Sequence, residues 1–336
     1  MLRGGLIGCG FFGAIQLEAW RRMEGVEIVA ACDLDPGRAA GLAPRAYTSA
    51  EEMLGREQLD FVDIATRPDS HLELVRLAVA HKLPVICQKP MAATWREAVE
   101  MVEAAETAGV PLMIHENWRW QPWFRAAKQI LERGEIGRPV AYLFRSRKRD
   151  GLGSSPYSHQ PYFRQMPRLL IYETLVHSID TARFLFGEIE SLLAQARRIN
   201  PLIQGEDQAQ LLLAHRDGPR GVIDGHRFLN HDPAGPSLDE ALFEGDGGYV
   251  RVLATGDVYL NGRCVWTNQV QVGYRGDSAR AVQEHFLDCL RTGRSFESGG
   301  RQYLPTFAAA EAAYLSLTEG RRVALSELLA DLRGGG

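Results

Sequence analysis

The chain has 336 residues, 45% of them hydrophobic and 24% charged, with a formal net charge of −4. That length allows two domains with separate cores, and the balanced charge leaves no electrostatic footprint for nucleic acid or an anionic membrane, so a small-molecule partner is expected. The five cysteines, Cys9, Cys32, Cys87, Cys264 and Cys289, are scattered and never spaced Cys-x-x-Cys, which excludes a disulfide framework or zinc cage as the organising feature and points to a reducing cytoplasm.

Leu6-Ile7-Gly8-Cys9-Gly10-Phe11-Phe12-Gly13 opens the pattern, a short apolar run ending in Gly-x-Gly-x-x-Gly. It lacks the basic leader and small-residue cleavage site of a signal peptide, and no later stretch is apolar for long enough to span a membrane. In a strand-to-helix turn the glycines have separate tasks. Gly8 makes the tight turn, Gly10 lets backbone amides reach a pyrophosphate, and Gly13 lets the helix pack close to the strand; Phe11 and Phe12 begin a helix whose N-terminus favours the anion. That helix is expected over 11–23, and 26–32 reads as a buried strand ending at Asp33. Asp33 follows Gly13 by the interval of about 20 residues at which a Rossmann unit places a carboxylate on the ribose hydroxyls. As a plain β-to-α turn, Asp33-Leu34-Asp35-Pro36-Gly37 would need no ligand. The carboxylate would repel a 2′-phosphate, which favours NAD over NADP, with Arg38 nearby as the opposing influence.

Ser49-Ala50-Glu51-Glu52 and Thr94-Trp95-Arg96-Glu97 read as capping boxes, Asp69 can cap a helix beginning near Ser70, and strands are expected over 61–65, 84–87 and 111–115. This alternation implies a doubly wound parallel sheet with helices on both faces over residues 1–120. Ligands sit beyond the carboxyl ends of such strands, which selects Thr66-Arg67-Pro68, Gln88-Lys89-Pro90 and His115-Glu116-Asn117. Gly8, Gly10, Phe11, Phe12, Gly13, Asp33, Thr66, His71, Gln88 and Lys89 form the expected cofactor set.

Asn117 to Arg125 holds three tryptophans. Trp123 is expected to fill the seam between domains, whereas Trp118, Arg119 and Trp120 follow a strand end and are candidate substrate contacts as well as packing residues. A helix over 122–133 and a strand over 139–147 begin the second part. Residues 150–162, rich in Gly, Ser and Pro, read as a loop, either a substrate lid or a surface loop of no assigned role; Tyr157 and Tyr162 within it and Arg164 just after it are candidate substrate residues. A helix over 172–186, closed by Gly187, would place Glu173, His177, Asp180 and Phe184 on one face. A lone histidine there is usually structural, but flanking acids suit a general base, and without a third histidine no metal site is expected. Strands over 189–199, 208–215, 221–228, 240–244 and 249–253, with turns at Asp217-Gly218 and Asn261-Gly262, make 121–336 an α+β domain with a large, mostly antiparallel open sheet. One face should pack on the His177 helix and the other should pair in a homodimer or homotetramer. Helices close the chain over 278–291, 302–317 and 324–332, with Gly334-Gly335-Gly336 frayed.

With Lys89-Pro90 after the fifth strand and His177 on its helix, added to the glycine unit, the chain resembles the Gfo/Idh/MocA family (glucose-fructose oxidoreductase, inositol dehydrogenase, rhizopine catabolism) over nearly its whole length. Gln88 stands where that family usually has Glu, Glu173 where it usually has Asp, and Arg168-Leu169-Leu170 replaces a frequent double glycine, so the substrate side should differ. The resemblance implies NAD-dependent oxidation of a sugar or cyclic polyol hydroxyl. His177 would take the hydroxyl proton, Lys89 stabilise the developing alkoxide and Glu173 orient His177 or stabilise its imidazolium; Asp180 is a further candidate substrate residue, standing behind these groups or merely bonded within its helix. Two alternatives are a NAD-dependent glycoside hydrolase using transient oxidation, which would release an aglycone without net NADH, and a catalytically silent nucleotide-sensing regulator.

Overall fold

The computed structural model describes residues 1–228, 237–270 and 272–330. The expected fraying of Gly334 to Gly336, and the end of the helix expected over 324–332, lie outside these residues.

In chain order the first elements are β1 (Leu2–Ile7), α1 (Phe11–Arg21), β2 (Val26–Cys32), α2 (Pro36–Ala39), β3 (Arg45–Tyr47), α3 (Ala50–Arg56), β4 (Phe61–Ile64), α4 (His71–Ala80), β5 (Val85–Gln88), α5 (Trp95–Thr107) and β6 (Leu112–His115). All of their strand pairings are parallel, and the sheet order is β3-β2-β1-β4-β5-β6. This is the doubly wound order, whose direction reverses between β1 and β4 and so opens a ligand crevice at their carboxyl ends. Thr94 and Glu97 form the full reciprocal capping box at α5. Ser49 accepts from the Glu52 N–H at α3.

The chain continues through α6 (Pro122–Glu132), β7 (Pro139–Lys148), α7 (Val176–Phe186), β8 (Ile189–Arg197), β9 (Gln208–His215), β10 (Arg220–His226), β11 (Ser237–Gly245), β12 (Gly248–Val252), β13 (Val258–Leu260), β14 (Arg263–Trp266), α8 (Ser278–Thr292), α9 (Gly300–Glu319), β15 (Val323–Ala324) and α10 (Ser326–Leu329). Among the described residues nine strands form a second sheet, β14-β13-β12-β11-β7-β10-β9-β8-β15, in which the β7–β10 pair is parallel and the other pairings are antiparallel. The fold is α/β, a Rossmann sheet plus an α+β part with a large, mostly antiparallel sheet.

α7 covers one face of that sheet: Phe186 stacks on Tyr142 of β7 with centroids 4.8 Å apart and meets Phe243 of β11 edge-on at 5.4 Å. Val140, Leu212, Tyr249 and Val265 are exposed.

The two compact units do not follow a single cut. One comprises Met1–Trp120 with Gln271–Leu304, the other Gln121–Val270 with Pro305–Gly336. Grouping 121–336 as one stretch therefore misplaces α8. Its Val282, Phe286 and Leu287 lie in the same buried cluster as Leu17 and Trp20 of α1 and Phe61 of β4, and apolar burial holds this helix in the first unit.

Candidate functional site

The glycine turn is built by steric necessity at two positions and not at the third. Gly8 has φ +96°, and a Cβ there would lie 2.7 Å from the backbone of Ala65. A Cβ on Gly13 would lie 2.1 Å from the Gly8 carbonyl oxygen, so only glycine lets α1 approach β1 this closely. Gly10 has an extended backbone, and the nearest atom to its Cβ position is Arg38 Nη1 at 4.0 Å. The protein itself leaves that space open. No side chain caps the N-terminus of α1, so its first amides face the opening.

Asp33 is fixed beside the turn. Its Oδ2 accepts the Cys9 N–H at 2.8 Å and its Oδ1 accepts the Asp35 N–H at 3.0 Å, and each oxygen retains a lone pair for a further donor. Burial, then the Asp33 charge, pushes the Cys9 thiol up to about 12, so it stays neutral there. Thr66, after β4, bonds Ser70 Oγ at 2.8 Å and sets its methyl against Gly8. The open space beside Gly10, the uncapped amides and the held carboxylate fit a dinucleotide's diphosphate and ribose.

His71 behaves differently from a ligand. It is fully buried, with Nδ1 3.2 Å from the Met91 carbonyl and Nε2 3.2 Å from the Thr66 carbonyl, and burial lowers its pKa. It ties the loop after β4 to the loop after β5. Gln88 ends β5 in register with His115, and Lys89, 8% exposed, follows in a cis peptide with Pro90. The Lys89 N–H donates to Gln88 Oε1 at 2.7 Å. Beneath them Gln88 Nε2 reaches Gln16 Oε1 at 3.4 Å, Gln16 Nε2 donates to Asp63 Oδ1 at 2.7 Å, and Trp20 Nε1 donates to Asp63 Oδ2 at 2.6 Å.

Phe12 meets the rings of His115 and Tyr274 edge-on at 5.9 and 5.4 Å, while Phe11 is half exposed. The Arg275 guanidinium lies 4.5 Å over Trp118, Arg119 donates to the Glu297 carbonyl at 3.1 Å, and Trp120 packs on His285 with centroids 4.7 Å apart. Trp118 and Arg119 are buried, so packing accounts for much of their surface. Trp123 packs against Gly256.

In the second unit the expected single helix over 172–186 is two. Residues Leu170–Leu175 form a π-helix and α7 begins at Val176, so the stretch from Glu173 to His177 passes from the wider π turn into α-helical spacing. Glu206 helps set this turn by accepting the Leu169 and Ile171 N–H groups. Glu173 Oε2 accepts from Arg227 Nη1 at 3.1 Å and from Thr174 Oγ1 at 2.7 Å, and Arg227 also binds Asp150 at 2.5 Å. His177 is 6% exposed. Asp180 is fully buried and accepts from Thr306 Oγ1 at 2.9 Å. Phe184 turns toward α6, where Arg125 sits 4.6 Å above its ring.

The segment 150–162 is packed by a cluster of its own, in which Tyr157, Phe163, Leu169 and Ile203 are buried and Tyr162 lies against them. Tyr157 has φ +56° and lies under Arg227, while Arg164 Nε donates to the Pro156 carbonyl at 2.7 Å. Sequence reasoning missed Arg227 and the Gln16–Trp20–Asp63 network. The one local signal was an acid in the apolar run Phe61-Val62-Asp63-Ile64. Among the described residues no three His, Cys, Asp or Glu side chains converge as a metal site, and no helix is long and apolar enough to cross a membrane.

A glycine turn with a held carboxylate, on a sheet of this order, defines a dinucleotide-binding protein. The model of the oxidoreductase family with an NAD-binding Rossmann fold matches residues 2–116, and that of the GFO/IDH/MocA C-terminal domain matches residues 124–249. The chain belongs to the Gfo/Idh/MocA family of NAD-dependent oxidoreductases. It is 41% identical to a D-apiose dehydrogenase of Paraburkholderia graminis over 98% of this chain and 91% of that protein. A D-apiose dehydrogenase of Rhizobium rhizogenes is 38% identical over 98% and 99%. The crystal structure of an oxidoreductase from Agrobacterium radiobacter in complex with NAD+, L-tartaric acid and magnesium is similar at 36% identity, with a TM-score of 0.90 and coverage of 98% and 99%.

Proposed function

We propose that this protein is a sugar dehydrogenase that oxidises a hydroxyl of D-apiose, secondary or hemiacetal. The observation that carries the reading is the 41% identity to a D-apiose dehydrogenase across 98% of the chain. Bound NAD supplies the hydride acceptor. The α1 amides and Gly10 hold its diphosphate, and Asp33 takes the ribose hydroxyls, which favours NAD over NADP.

Lys89 stabilises negative charge developing on the substrate oxygen, and His177 removes that oxygen's proton, a contribution typically worth about 10²–10⁴-fold. Glu173, itself held by Arg227, orients His177 or stabilises its charged form. Asp180 supports His177 from within α7. His71 acts by positioning the loops that carry Thr66 and Lys89. The substrate hydroxyls are read by Trp118, Arg119, Trp120, Tyr162 and Arg164, while Tyr157, buried against Phe163, packs within the second unit.

The first unit is the cofactor-binding part, and the second binds substrate and joins copies into a homodimer or homotetramer through the exposed sheet face. The cytoplasm, which keeps thiols reduced, is the proposed compartment for a chain whose five cysteines are all free. The test is NADH absorbance over a panel of pentoses, hexoses and polyols with NAD and NADP in parallel. Net NADH from D-apiose above the rest of the panel is expected. Release of an aglycone without net NADH, or cofactor binding without turnover on any sugar, would overturn the reading.

A further inference from the structure

Beneath Lys89 runs a hydrogen-bond chain that has one workable direction when Asp63 is ionised. Asp63 sits mid-strand in β4, Gln16 and Trp20 lie one turn apart on α1, and Gln88 ends β5; Asp63 and Gln16 are fully buried and Gln88 is 4% exposed. An ionised carboxylate only accepts and an indole N–H only donates, so Trp20 and Gln16 Nε2 must both point at Asp63. That leaves Gln16 presenting Oε1, and whatever stands at position 88 must offer it a donor. Gln88 does so with Nε2, which turns its own Oε1 to the Lys89 N–H. Gln283 Nε2 donates to the Gln16 carbonyl at 3.1 Å and helps fix this turn of α1.

We infer that Asp63 and Gln16 are positioning residues for Lys89: the carboxylate sets the orientation of both amides and thereby holds the backbone from which the Lys89 ammonium extends. The inference rests on the proposed role of Lys89 at the substrate oxygen. It also accounts for glutamine at position 88, since a carboxylate there would face the Gln16 oxygen with no proton between them.

The chain can be reversed by two isosteric changes, which provides the test. In Asp63→Asn the introduced amide accepts from Trp20 and donates to Gln16, so both glutamines turn over and Gln88 meets the Lys89 N–H donor to donor. In Gln88→Glu, two acceptors face each other at Gln16. In the double variant every group is satisfied again, with the direction reversed and the Lys89 N–H accepted by the introduced carboxylate.

In mildly alkaline buffer each single variant is expected to lower kcat by about tenfold or more, in keeping with an unsatisfied buried group, and the double variant to return to within about threefold of wild type. Hydrogen exchange of the Cys87–Ala92 segment should show Lys89 amide protection lost in each single variant and recovered in the double. Losses that multiply in the double variant, or an amide that stays protected in Asp63→Asn, would overturn the inference, as would a double variant that does not fold. Should Gln88→Glu alone fail to fold, a folded double variant supports the inference. Lys89→Ala is measured alongside: wild-type turnover there defeats the reading of Lys89, while the exchange data still judge the chain.

Discussion

Replacing each glycine of the turn by alanine separates what the fold requires from what the cofactor requires. In Gly13→Ala the new Cβ lies 2.1 Å from the Gly8 carbonyl oxygen, and relief demands a shift of roughly 1 Å between α1 and β1. Overpacking of this kind costs about 1–3 kcal/mol or more, which for a unit of this size lowers Tm by about 2–4 °C per kcal/mol. Gly8→Ala adds a positive-φ penalty of order 1–3 kcal/mol to its clash with Ala65. Gly10→Ala meets nothing nearer than 4.0 Å. The entropy it removes from the unfolded chain, about 0.4–1 kcal/mol, offsets the weaker alanine N-cap, so stability stays within about 0.5 kcal/mol. Its methyl instead occupies the space left for the diphosphate, and the NADH Kd should rise about tenfold or more, the equivalent of about 1.4 kcal/mol. Differential scanning fluorimetry gives the stabilities and quenching of protein fluorescence gives the Kd. A Gly10→Ala protein that binds NADH as tightly as wild type would refute the assignment of this opening to the cofactor.

Asp33→Ala should weaken NAD binding about 10–100-fold and lose the preference over NADP, read from Kd values for both; an unchanged preference removes Asp33 from the ribose. Burial raises the Asp63 pKa from the ordinary 3.8 to about 7. Between these values the folded state holds more protons than the unfolded one, so Asp63 lowers stability progressively as pH rises from about 4 to 7. The Tm of Asp63→Asn minus that of wild type should therefore climb across this window and level off above it, and a flat difference would show that Asp63 is not so perturbed. Arg227→Met removes a buried cation from part-buried Glu173 and from Asp150, whose side chain is 40% exposed and can be taken up by solvent, and should cost about 1–3 kcal/mol by denaturant unfolding. A loss below about 1 kcal/mol would mean the two acids find other partners.

What could be read from the chain beforehand was what neighbouring residues decide among themselves. Gly8 to Asp33 is one β-α-β unit, and Thr94 caps a helix with a residue three positions on, so spacing alone marks both. The π turn at Leu170–Leu175 left no such mark, because its apolar residues satisfy an α-helical pattern equally well, and the register change arises where Glu206 from a distant loop takes up the turn's amides. α8 returns to the first unit through contacts with α1 made more than 250 residues apart along the chain, as the Arg22–Asp277 pair illustrates. Asp63 was visible as an acid in an apolar strand, but its partners Gln16 and Trp20 lie 47 and 43 residues away, and only the assembled sheet brings them to one carboxylate.

The central claim is that Lys89 and His177 act on one substrate oxygen of a sugar oxidised with NAD. The most direct measurement is the initial rate of NADH formation from D-apiose by wild type, Lys89→Ala and His177→Ala, each checked for folding and NADH binding. The account predicts turnover by wild type and loss of kcat by about 10²-fold or more in each folded variant. Wild-type kcat in either variant would contradict it.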